Sequence, residues 1–126
     1  MDSRKKLLID AFFNQFLSFV GELEDMYPED SDFGMFETTL KLMRMTNPSL
    51  VIKYVAESTS SFSEKIMASD EAFFLEMDFS VYAGIDINIF TKLKTYIQSM
   101  SPESKVNVWK YIQNVTRLAQ AIQSAK

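Results

Sequence analysis

The chain of 126 residues contains no cysteine. That excludes a disulfide framework, a thiolate zinc site and a cysteine nucleophile. It contains no histidine either, so the commonest general base and the commonest metal ligand are both missing. Glycine and proline number three each, too few for a turn-rich β-sandwich and suited to long helices joined by short loops. No stretch approaches the ~18 uninterrupted apolar residues of a membrane span. The basic start Arg4-Lys5-Lys6 leads into Leu7-Leu8-Ile9, but Asp10 and Asn14 interrupt the run and no small-residue cleavage site follows. No signal peptide is therefore expected, and the chain reads as soluble and cytosolic or nuclear. No G-x-S-x-G, glycine-rich phosphate loop or H-E-x-x-H motif is present, which argues against an enzyme and against any cofactor.

What the chain does have is apolar content. Apolar residues make up 47% and charged residues 24%, enough to build one core and to offset chain entropy without staples. The expected architecture is all-α: residues 1–126 as a single compact helical domain, a bundle of about five to six helices. Ile9, Phe12, Phe13, Phe16, Val20 and Leu23 recur at three- and four-residue steps and predict a helix over about 3–26. Pro28 ends it, because the residue before a proline is pushed out of helical geometry. Phe33, Phe36, Leu40 and Met43 predict a second helix over about 32–45, with Ser31 or Asp32 as its cap. Asn47-Pro48 starts a third, with Leu50, Val51, Tyr54 and Val55 inward, and the run Ser58-Thr59-Ser60-Ser61 breaks or bends it. Phe62, Ile66 and Met67 suggest a short resumption, and Ser69-Asp70-Glu71 a new start leading to Phe73, Phe74 and Met77. Residues 78–86 read as an irregular connection in preference to a short strand, which would have no partner. Ile89, Phe90, Leu93 and Ile97 predict a helix over about 88–100. Ser101-Pro102-Glu103 then opens a last helix to about residue 124, striped by Val108, Trp109, Ile112, Val115, Ala119 and Ile122. The tight link between these two implies an antiparallel hairpin at the end of the bundle.

Charge is unevenly spread. Residues 1–86 carry 7 bases and 16 acids, whereas residues 87–126 carry 6 bases and 1 acid. Seven carboxylates fall between Glu22 and Glu37 with no base among them. They miss the calcium-loop pattern: counted from Asp30, position 5 is Gly34 and position 6 is Met35, where an EF-hand needs an oxygen ligand and a glycine. The expected reading is a solvated acidic turn that favours the start of the second helix. The basic C-terminal part offers Lys94, Lys105, Lys110 and Arg117 as a candidate patch for an acidic partner or nucleic acid, provided that they share a face. The alternative is that the basic helices simply pack beside the acidic ones. Six spread charges with one arginine make a thin phosphate-binding surface.

Three further residues are candidate partner contacts. The chain has eight methionines. Met35 and Met45 fall off the core stripe of the second helix, where adaptable thioethers suit a binding surface. Trp109 lies on a core stripe and is expected mainly as an anchor, but beside Lys110 and Tyr111 it is the one place where aromatics interleave with bases. Asn114-Val115-Thr116 is a formal glycosylation sequon, discounted because it lies within a predicted amphipathic helix.

Several phrases occur together: Met43-Arg44-Met45-Thr46-Asn47-Pro48 with Val51-Ile52-Lys53-Tyr54, then Glu71-Ala72-Phe73-Phe74-Leu75, then Met100-Ser101-Pro102-Glu103-Ser104-Lys105 with Val108-Trp109-Lys110-Tyr111-Ile112-Gln113. With them the chain resembles a group of small helical proteins encoded by large double-stranded DNA viruses of algae and protists. The resemblance implies a viral origin and a life in the host cytoplasm or nucleus, or in the virion, and assigns no site residue. The expected function is thus a non-enzymatic protein–protein interaction module, a viral accessory or virion-associated protein that binds a viral or host protein without a membrane. A nucleic-acid-associated factor using the basic C-terminal hairpin is the alternative.

Overall fold

The computed structural model describes residues 3–60, 63–76 and 89–125. The connection expected at 78–86, together with Phe62 and Met77, lies outside the described residues. Among those described there are seven helices and no strand: α1 (Ser3–Met26), α2 (Ser31–Thr46), α3 (Pro48–Thr59), α4 (Ser63–Met67), α5 (Glu71–Glu76), α6 (Ile89–Ile97) and α7 (Pro102–Ser124). The all-α expectation holds, and one apolar cluster draws on all seven helices. None of the described helices is long and apolar enough to cross a membrane.

Helix α1 is the centre. Phe12, Phe13, Phe16, Phe19, Val20 and Leu23 are all at most 1% exposed. At 100° per residue these six positions span too wide an arc for one neighbour to cover. Two helices do so: α7 on one side and α2 on the other, with α3 packed between α7 and α2. The phenylalanines meet edge to face, Phe12 with Phe13 at 5.1 Å and with Phe16 at 5.8 Å between ring centroids. Such pairs add about 0.5–1.5 kcal/mol to the burial of their area. Gly21 leaves α1 unbroken.

The helix ends follow local chemistry. Ser101 accepts from the Ser104 N–H at 3.1 Å, and Pro102 stands first in α7, the arrangement its sequence predicts. At α2 the cap is Asp30, accepting from the Asp32 N–H at 3.0 Å, and not Ser31 or Asp32. The helix begins one residue sooner than expected, so Ser31 and Asp32 are already inside its first turn. Ser58 and Thr59 end α3 inside the core, where each hydroxyl donates back one turn, to Tyr54 O at 2.6 Å and Val55 O at 2.8 Å. That satisfies two buried hydroxyls which would otherwise be costly. Helix α4 closes with Ser69 in the left-handed region, φ 56°. This turn lets the Ser69 N–H reach Ile66 O and the Asp70 N–H reach Lys65 O, both at 3.0 Å. The Gln113 amide of α7 donates to Ile66 O, Met67 O and Ser69 Oγ within 3.2 Å, fixing the end of α4 to α7.

The link from α6 to α7 is as short as expected, with Ser99 and Met100 N–H groups turning back to Tyr96 and Ile97 carbonyls. Helix α6 reaches the body of the bundle through long side chains. Phe90 stacks on Phe16 at 6.5 Å and on Tyr54 at 6.4 Å, while Tyr96 stacks on Tyr27 at 3.9 Å.

Two outcomes follow. Phe16→Ala would open a cavity where α1, α6 and the rest of the phenylalanine cluster meet, and should lower the unfolding free energy by about 3–5 kcal/mol in urea titration. Tyr54 is 4% exposed and its hydroxyl finds no hydrogen-bond partner among the described residues; burial pushes its pKa up to about 12. The folded state therefore keeps this proton above pH 10, where the unfolded chain releases it. Stability should be full below pH 10 and fall progressively as pH rises toward 12. Tyr54→Phe should show a shallower alkaline decline and lose nothing at pH 7.

Candidate functional site

Helix α2 carries two stripes with the same three–four spacing. Phe33, Phe36 and Leu40 are buried, and Met43 is half-buried against the core. Met35, Leu42 and Met45 point the other way and are 62%, 57% and 84% exposed. Steps of seven and three residues bring these three within about 80° of one another on the helix. Three large apolar side chains on one surface are the most prominent exposed apolar group among the described residues; Leu7 and Val106 are the other large ones. Leu7 precedes by one turn the Asp10 that contacts Arg44, so it lies at the same end of the bundle as Met45.

The orientation of α2 is set from both ends. At its start Lys92 of α6 contacts Asp30 at 2.9 Å and Asp32 at 2.8 Å, and the Tyr96 hydroxyl donates to Asp30. The Asp30 side chain is only 13% exposed. The Tyr96 hydrogen bond and then Lys92 hold its carboxyl below the usual range, while Asp32 and Asp30 hold the Lys92 ammonium above its own. The acidic turn is thus not simply solvated, as its composition suggested. Two of its carboxylates form the seat that joins α2 to α6. Toward the other end of α2, Arg44 donates to Asn14 at 3.1 Å and contacts Asp10 at 3.4 Å, with its guanidinium 5.7 Å from the Phe13 ring. Between them Glu37 and Lys41 lie 3.7 Å apart along the helix. On the α1–α2 seam, burial and then the neighbouring Glu37 push the Glu24 carboxyl up.

The predicted C-terminal residues separate into different settings. Lys105, Lys110 and Trp109 line one recess on α7, of about 480 Å³, together with Glu71, Val106 and Gln113. Trp109 itself is 6% exposed and meets Phe74 edge to face at 5.5 Å, so most of its surface belongs to the core. Lys105 contacts Glu71 at 3.0 Å. Lys110 is exposed, and Arg117 donates to Asn114 at 3.4 Å. Lys110 and Arg117 are seven residues apart and share a side of α7, whereas Lys105 is about 140° from Lys110 around the helix. Lys94 is half-buried on α6. The four bases accordingly do not form one continuous face. Lys92 and Lys105 both pair with carboxylates of the acidic part, as basic helices packed beside acidic ones should.

Leu42 had escaped the sequence reading. Its signal was available: it stands seven residues after Met35 and three before Met45, on neither the Phe33–Phe36–Leu40 stripe nor a turn. Among the described residues no three carboxylates converge on a point able to hold a metal ion. No protein-family model, no curated protein and no solved structure matches this chain.

The clamp on Asp30 gives a pH-dependent expectation. Because its folded pKa lies below the unfolded 3.8, its contribution is present above that pH and is lost as pH falls through and below it. Tyr96→Phe should therefore be less stable than the parent chain at pH 7, and the deficit should shrink markedly by pH 2.5. Urea titrations of both chains at the two pH values measure this.

Proposed function

We propose that this protein is a non-catalytic interaction module whose outer α2 face docks a protein partner. The observation that carries the reading is the exposure of Met35, Leu42 and Met45 along one side of a helix anchored at both ends. Apolar groups held at 57–84% exposure have no folding role in the isolated chain, and burying them on a partner is favourable by about 25 cal/mol per Å². Anchoring favours docking as well, because little backbone entropy is lost when a rigid helix binds. Methionine adapts to an irregular partner surface at low cost. The resemblance to helical proteins of large DNA viruses fits an accessory or virion-associated role in the host cytoplasm or nucleus. Weighing against the nucleic-acid reading are the pairing of Lys105 with Glu71, that of Lys92 with Asp30 and Asp32, and the separation of Lys105 from the Lys110–Arg117 side.

The test is a tagged pull-down from the protein's own host cells, with and without nuclease, comparing the parent chain with Leu42→Glu. Leu42 is exposed, so circular dichroism should report an unchanged fold. A protein captured by the parent despite nuclease, and lost from Leu42→Glu, is the expected result. A partner set that vanishes with nuclease, or one that Leu42→Glu leaves intact, overturns the reading.

A further inference from the structure

The methionines divide sharply by position among the described residues. Met26, Met43 and Met67 pack against the apolar cluster, and Met100 is 8% exposed within it. Met35 and Met45 are 62% and 84% exposed. Both lie on the outer stripe of α2, ~15 Å apart along its axis, and Leu42 stands between them both along the helix and around it.

A thioether is the one kind of side chain on that stripe open to mild oxidation. A peroxide transfers one oxygen to the sulfur. The O–O bond breaks, an S–O bond forms, water or an alcohol leaves, and the sulfur gives up the two electrons that the peroxide takes. The product is a polar, chiral sulfoxide. Its effect depends on where the sulfur sits. At Met43 or Met100 the new oxygen would be forced into apolar surroundings, which is costly. At Met35 or Met45 water solvates it, and the inner stripe of Phe33, Phe36 and Leu40 is untouched. The contacts that hold α2, Lys92 with Asp30 and Asp32 and Arg44 with Asp10, contain no oxidisable group.

We infer that Met35 and Met45 form a reversible oxidation site, at which peroxide turns the outer face of α2 polar and leaves the fold intact. The site itself follows from exposure. Its effect on a partner rests on the reading of this face as a docking surface, and there it supplies a regulation. Two of the three apolar side chains become hydrogen-bonding groups, Leu42 is left between them, and the apolar area that a partner removes from water shrinks. Docking in turn covers both sulfurs, so the free chain is the form that oxidises. Methionine sulfoxide reductases, one for each epimer, return the thioether, with a thiol as electron donor.

The purified full chain treated with hydrogen peroxide, and with the bulkier tert-butyl hydroperoxide, tests the site, with peptide mass spectrometry following each methionine. Met35 and Met45 should gain one oxygen roughly tenfold faster than Met26, Met43, Met67 and Met100. The doubly oxidised chain should keep its circular dichroism and its urea midpoint, and both reductases with dithiothreitol should remove the added mass. A core methionine that oxidises as fast as Met45, or a urea midpoint that falls when only Met35 and Met45 are oxidised, overturns the inference. The regulation is read by the pull-down from host cells. The double sulfoxide should capture at least about tenfold less of the partner than the parent chain. Met35→Leu combined with Met45→Leu conserves volume and cannot be oxidised, so it should hold the partner after peroxide. Should Leu42→Glu release the partner while the double sulfoxide retains it, docking on α2 stands and the regulation is rejected. Should Leu42→Glu retain it too, docking on this face fails, and the oxidation site is judged on mass spectrometry and stability alone.

Discussion

The structure depends on covering α1. Four phenylalanines within eight residues, at 12, 13, 16 and 19, give this helix one broad apolar face spanning about 120°, and two neighbours share the work of removing it from water. The bundle is the answer to that constraint. α7 and α2 take the two sides, α3 closes the gap between them, and the shorter helices fill what remains. Each covering helix contributes one stripe inward, and its outer stripe is then left to whatever the sequence puts there. α7 puts polar and charged groups outward for most of its length. α2 puts methionines and a leucine there.

Electrostatics in this protein position helices. The strong imbalance between an acidic N-terminal part and a basic C-terminal part finds a structural use: Lys92 inserts between Asp30 and Asp32, and Lys105 meets Glu71. These contacts tie the later helices to earlier ones over long sequence separations. Ion pairs that reach solvent, as Lys92–Asp32 and Lys105–Glu71 do, contribute modestly to stability. Their effect is geometric, because Asp30 is at once the cap of α2, the acceptor for Tyr96 and a partner of Lys92. The start of α2 and the body of α6 cannot shift independently.

Much of this was legible in the sequence because it is local. The 24 residues of α1, the Asn47-Pro48 break and the Ser101-Pro102 start are written in periodicity and capping chemistry, which act within one or two turns. The α2 cap was misplaced by one or two residues because Asp30, Ser31 and Asp32 all have oxygens able to accept from the first turn. Only the geometry of the α1–α2 turn selects among them. Leu42 was missed for a related reason. A leucine on an amphipathic helix is ordinarily core, and its direction follows from which stripe α1 claims.

Composition and periodicity determined that the chain folds as helices around a phenylalanine core, contains neither cysteine nor histidine and carries its opposite charges in separate halves. Which charges meet, which face of α2 is left over, and that Trp109 sits against Phe74 while Met45 stands in solvent were decided by tertiary structure alone. The reason is physical. Helix formation and capping depend on neighbours a few residues apart, whereas exposure and ion pairing depend on helices brought together across 34 to 66 residues of chain.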